Sequence, residues 1–169
     1  MRVVFARHAE STGNAEGRWL GRAEFKLSDK GRTQAQSLSR RLIREDLQFS
    51  CIYSSPQLRA METAQIVAEP WSLPVVSWGD LMENGAGVFE GLTREEVLQK
   101  HPGAWKDFLA SKEKEVWGIV EGAESFEGRH HRASRVIETI VKRHTHEESI
   151  LLVTHGGILR HLLAVLMGA

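Results

Sequence analysis

Two histidines and two arginines in this chain fall where strand-like apolar runs end. Arg7-His8 follows the run Arg2–Ala6, and His155 follows Ser149–Thr154. Ser54-Ser55 closes a third run, Ser50–Ser54, and Arg59 lies in the first turn of the helix expected after it. An imidazole can attack, carry a proton or simply pack, whereas a guanidinium presents a planar fork that matches phosphate oxygens. Cations gathered beside helix N-termini suit an anion, most simply phosphate. His8 by itself reads as a nucleophile, a base or a structural histidine. The preceding Arg7 and the following Ala9-Glu10-Ser11-Thr12-Gly13-Asn14 favour chemistry, because Ser11 and Asn14 are short polar groups in a loop that can curl around the same anion. Arg59 alone could be a surface ion pair and His155 a helix cap. The Gly156-Gly157 pair after His155 lets backbone approach a ligand closely. Glu83, in the loop Leu81-Met82-Glu83-Asn84-Gly85-Ala86-Gly87, reads in isolation as a solvated glutamate.

These residues need a scaffold that brings them to one place. Arg2–Ala6, Ser50–Ser54, Pro74–Trp78 and Ser149–Thr154 are short, β-branched or apolar, and read as strands. The last is apolar almost throughout, as expected for a central strand of a parallel sheet. Between them, helical spacing and capping residues predict helices from Ser28 or Asp29 to Glu45, and from Pro56 in a first turn to Glu69. Two short helices follow, Thr93–Lys100 and Ala104–Lys112, then Ser125–His144 and Gly157–Met167. Strands alternating with helices predict an α/β fold, a three-layer α/β/α sandwich around a mainly parallel sheet, with one domain spanning 1–169. Ligands of such sheets bind at the carboxyl ends of the strands, which is where His8, Ser55 and His155 fall.

The balance of 22 basic and 22 acidic residues shows no basic excess of the kind nucleic-acid binding uses. One cysteine, Cys51, permits no disulfide within the chain and suits a reducing, cytoplasmic compartment; its apolar surroundings predict a buried structural thiol. No apolar run reaches the ~18 residues a membrane helix needs. Gly85–Gly91 has the wrong spacing for a dinucleotide fingerprint, there is no phosphate-loop GxxxxGK[ST], and His155 and His161 are too far apart for an HExxH metal pair. His130, His131, His144 and His146 read as solvated or packed.

In order along the chain, Arg7–Asn14, Gly21–Ala35, Ser54–Ala64, Leu81–Thr93, Glu124-Ser125 and Thr154–Gly157 resemble the successive motifs of the histidine phosphatase superfamily, also called the phosphoglycerate mutase-like family. They are similar to its RHG[ET]xxxN, GxxDxxLTxxGxxQA, SSPLxRAxxTA, LxExxxGxxEGLT, GES and THGG segments. The resemblance implies that His8 attacks phosphorus and becomes a phosphohistidine. Arg7, Arg59, His155 and Asn14 would hold the phosphoryl oxygens, with Ser11, Gly21 and Gly156 lining the binding site. Glu83 would protonate the leaving oxygen and then activate water. No metal and no cofactor are implied.

Three departures stand out: Ala9 and Ala123 replace glycines usual in the family, and the chain stops at Ala169, just after its last helix. A φ above zero at position 9 would strain an alanine. A short C-terminus would leave the pocket more open and a sheet edge exposed, which could favour a homodimer. The expected activity is phosphomonoesterase action on a small phosphorylated metabolite, in the phosphatase branch. A cofactor-dependent phosphoglycerate mutase and a non-catalytic phosphate-binding module are the alternatives. Arg18, Trp19, Gly21, Arg22 and the Met82–Phe89 loop are expected to select the leaving group, with the aromatic residue and the two arginines favouring an acidic or ring-containing substrate.

Overall fold

The computed structural model describes residues 1–111, 119–146 and 148–168. Four parallel strands form one sheet in the order β1-β4-β2-β3: β1 (Arg2–Arg7), β4 (Ser149–Thr154), β2 (Cys51–Ser54) and β3 (Val75–Ser77). The central β4 is buried from Ile150 to Thr154. Its alternate residues feed two cores, as the pleat requires. Leu151 and Val153 pack with Leu42, Ala60, Ala64 and Val67 of α2 (Asp29–Arg44) and α3 (Leu58–Ala68). Ile150 and Leu152 pack with Ala133, Val136, Ile140, Ile158 and Leu162 of α6 (Phe126–Arg143) and α7 (Gly156–Met167). The expected three-layer sandwich is thus present, with helices on both faces. A third cluster, Phe89, Val97, Trp105 and Val120, lies under α4 (Arg94–Lys100) and α5 (Pro102–Ala110), and Trp19 packs against it.

Several boundaries move for local reasons. Pro56 lies ahead of α3 rather than inside its first turn, because Gln57 stays extended as the N-cap. The α5 helix begins at Pro102 rather than beyond it, since proline suits the first helical position. The expected end of that helix, Lys112, lies outside the described residues. A four-residue helix, α1 (Thr12–Ala15), occupies what reads as loop; Ser11 caps it through a reciprocal pair of hydrogen bonds with Asn14. Cys51 opens β2 and is half-buried rather than buried, packed at the margin of the α6–α7 core. Neither Ala9 nor Ala123 has a positive φ, so alanine is unstrained at both positions.

Candidate active site

The parallel pairing of β1 with β4 places Arg7 opposite Thr154. The next residues are therefore neighbours, and the His8 amide donates to the Thr154 carbonyl at 2.9 Å. The rings of His8 and His155 lie 5.0 Å apart at 56°. His8 Nδ1 is 2.7 Å from the Ala9 carbonyl. A carbonyl only accepts, so Nδ1 carries the proton and a neutral ring keeps its lone pair on Nε2. Burial pulls the pKa of His8 down to about 4; the Ala9 carbonyl opposes this, and the charges of Arg59 and Arg7 reinforce it. The ring is thus neutral near pH 7. His155 is fully buried with Nε2 2.8 Å from Ser55 Oγ, and burial together with the Arg59 charge holds its pKa well below the usual imidazole value.

Arg59 is also fully buried. Its guanidinium donates to the carbonyls of Ala23 and Gly21, each at 2.8 Å, while Nε has no partner among the described residues. Gly21 takes a φ of +46°, and a side chain there would meet Glu90 and Ala86 within 2.8 Å, so glycine is needed both for the turn and for the space. Gln57 ties this corner to the opposite wall. Its Nε2 donates to the Gly21 carbonyl at 3.1 Å, and its Oε1 accepts the Glu83 amide at 2.7 Å.

The Glu83 carboxylate is held by backbone amides. Oε1 accepts from Asn84 at 2.8 Å and Ile158 at 3.1 Å, and Oε2 accepts from Gly157 at 3.1 Å. The last two donors are first-turn amides of α7, which have no partner within their own helix. The loop that carries Glu83 is pinned from below. Thr154 Oγ1 donates to the Leu81 carbonyl at 2.7 Å, and the buried Arg132 donates to the carbonyls of Asp80 at 2.8 Å and Met82 at 2.6 Å. Arg132 also grips both oxygens of Glu124, at 2.9 and 2.7 Å, and Glu124 accepts the Gly85 amide at 3.2 Å. Burial acts to raise the Glu124 carboxyl pKa, but Arg132, the Gly85 amide and Arg22 hold it below the usual carboxylate range.

A cavity of about 260 Å³ opens between these walls. Arg7, His8, Asn14, Gly21, Glu83 and Gly156 line it. Arg59 and His155 adjoin His8 but sit behind the wall, fully buried. Ser11 does not reach the cavity. It is fully buried, and its hydroxyl and amide are both spent on Asn14 Oδ1. The two arginines expected to favour an acidic substrate are also spent: Arg18 pairs with Glu16 and Glu96, and Arg22 with Glu124. A different cation lines the mouth. Arg160 is exposed and has no carboxylate partner among the described residues. Its position one helical turn after Gly156 puts both on one face of α7, a spacing legible in the sequence. Gln57 and Ser55 were likewise within reach, sitting between Ser54 and Arg59. Among the described residues, no group of three or more His, Cys, Asp or Glu side chains is placed to hold a metal ion.

The model of the histidine phosphatase superfamily (branch 1) matches residues 3–169. Phosphoglycerate mutase-like protein 4 of Arabidopsis thaliana is 38% identical over 161 residues, covering 95% of this chain and 68% of that protein. Phosphoserine phosphatase 1 of Hydrogenobacter thermophilus is 33% identical over 168 residues, covering 99% and 77%. Among solved structures, a mycobacterial glucosyl-3-phosphoglycerate phosphatase in complex with VO3 superposes with a TM-score of 0.83 at 30% identity, covering 99% of this chain and 81% of that one. With this match along nearly its whole length, and with the paired histidines, buried arginine and amide-held glutamate in place, the chain belongs to branch 1 of the histidine phosphatase superfamily.

Proposed function

We propose that the chain is a phosphomonoesterase that hydrolyses a small phosphorylated metabolite through a phosphohistidine on His8. The observation that carries this reading is the 2.7 Å bond between His8 Nδ1 and the Ala9 carbonyl, which leaves Nε2 of a neutral ring free at the cavity wall. The names of the relatives, phosphoserine phosphatase and glucosyl-3-phosphoglycerate phosphatase, support hydrolysis.

In the first half-reaction, Nε2 forms a bond to phosphorus, the bond from phosphorus to the ester oxygen breaks, and the Glu83 carboxyl gives its proton to that oxygen. In the second, Glu83 takes a proton from water as the water oxygen bonds to phosphorus. The P–N bond breaks, and its electron pair returns to Nε2. Arg7 and the Asn14 amide nitrogen face the cavity and would hold phosphoryl oxygens. The buried Arg59 Nε and His155 Nδ1, without partners among the described residues, are groups that an anion beside His8 would satisfy. The unpaired Arg160 favours esters that carry a second anionic group. A cytoplasmic location fits the lone free thiol, and no helix among the described residues is long and apolar enough to cross a membrane. Dimerisation is the expectation for β1 and β3, whose outer edges have no strand partner among the described residues; the mass in solution tests it.

The test is phosphate release from a panel of phosphomonoesters, run beside His8→Ala. The panel includes p-nitrophenyl phosphate, phosphoserine and 3-phosphoglycerate. Release by the wild type, reduced on the order of 10⁴-fold in His8→Ala, is the expected result. Phosphoryl transfer between phosphoglycerates without release would instead identify a mutase, and phosphate binding without either reaction a non-catalytic module.

A further inference from the structure

Gly156 and Gly157 are adjacent in α7, yet they differ in what surrounds them. A methyl carbon placed on Gly156 would meet nothing nearer than the Arg7 side chain, at 3.6 Å. On Gly157 it would overlap Glu83 Oε1 and come within 2.6 Å of Asn84 Nδ2. Gly157 has no positive φ, so its backbone does not require glycine. Glycine inside a helix costs stability relative to alanine. That cost has a compensating gain here: only a residue without a side chain lets the Gly157 and Ile158 amides close on the carboxyl of Glu83, each at 3.1 Å.

We propose that Gly157 is a positioning residue, whose missing side chain seats Glu83 where its carboxyl meets the leaving oxygen. This rests on Glu83 being the acid and base of the proposed reaction. The two walls then have separate duties. Gln57 fixes the backbone of residue 83 from one side, and α7 fixes its carboxyl from the other. A β-carbon at 157 displaces the carboxyl and leaves His8, just beyond the end of β1, where it is.

The discriminating readout is the dependence of kcat/KM on the pKa of the leaving alcohol. An aryl ester such as p-nitrophenyl phosphate leaves with little help from an acid, whereas an alkyl ester needs the proton. Gly157→Ala should therefore lower kcat/KM for alkyl phosphates on the order of 10²-fold and for p-nitrophenyl phosphate much less, steepening the dependence. Glu83→Gln sets the scale, and the double variant should be no worse than Glu83→Gln alone. Equal losses across the series, or losses that multiply in the double variant, would overturn the proposal. If Glu83→Gln itself fails to steepen the dependence, the acid assignment falls instead. A second measurement needs no change at 157. In the amide NMR spectrum, Glu83→Gln should move the Gly157 and Ile158 proton signals upfield, as bonds to a carboxylate weaken. Unmoved signals would show that the helix does not hold the carboxyl in solution.

Discussion

The ring nitrogen of His8 and the carbonyl of its neighbour Ala9 are joined by a 2.7 Å hydrogen bond, so one residue's backbone selects the tautomer of the preceding residue's side chain. With burial lowering the His8 pKa to about 4, the ring stays neutral through mild acid. Activity limited by this group should hold from pH 7 to pH 5 and fall tenfold per unit below pH 4. A kcat/KM profile for p-nitrophenyl phosphate checks this, and an acid limb centred near 6.5 would contradict it.

The buried imidazole also affects stability. Between pH 6.5 and 4 the unfolded chain protonates His8 and the folded one does not, so stability falls as pH falls through that window. The loss is about 3 kcal/mol across the window, at about 1.4 kcal/mol for each pH step of one. The urea midpoint of the wild type should fall relative to that of His8→Gln as the pH drops from 7 to 4.

Arg132→Met should be costly. It leaves the half-buried Glu124 carboxylate without its fork, and the carbonyls of Asp80 and Met82 without a donor. Breaking a buried pair from one side costs about 3–5 kcal/mol. A calorimetric scan should show the loss, and Glu124→Gln with Arg132→Met together should cost less than the sum of the two.

Gly21→Ala should uncouple the buried arginine from its seat. The substitution strains a φ of +46° and disturbs the carbonyl that accepts from both Arg59 and Gln57. A loss of about 1–3 kcal/mol is expected from the backbone alone. Phosphate affinity, read by titration calorimetry, should fall as well. An unchanged affinity would detach Arg59 from anion binding.

Arg160→Gln should change preference among substrates. The wild type is expected to favour phosphoserine over phosphoethanolamine, which lacks the carboxylate. That ratio of kcat/KM should shrink about tenfold in the variant, the scale of one charge-assisted hydrogen bond. A ratio that does not move would remove Arg160 from leaving-group recognition.

Much of the scaffold was legible because its signals are local. The apolar run of β4, the caps Ser28, Thr93 and Ser125, and the glycines after His155 each declare an element within a few residues. What escaped depends on distant partners. Arg18 looks like a free cation in sequence, but Glu96 neutralises it from far along the chain. Ser11 looks like a loop donor, yet four residues too short to show helical periodicity turn it into a cap. The amide cradle of Glu83 joins a loop to α7 across 74 positions, and no spacing rule reaches that far.

The place of β1 at the edge of the sheet has a further consequence during synthesis. Its strand partner among the described residues is β4, which follows β2 and β3 in the chain. His8 therefore leaves the ribosome well before Thr154 and His155, the residues that come to lie beside it. The β2–β3 pair with α3 can form early, but the His8 amide has no acceptor until Thr154 arrives. A nascent chain that has not yet reached β4 would carry His8 without its Thr154 acceptor and without His155 beside it. Such late, long-range closure is the slow kind. It leaves the cavity beside His8 unbuilt until β4 and α7 have been made.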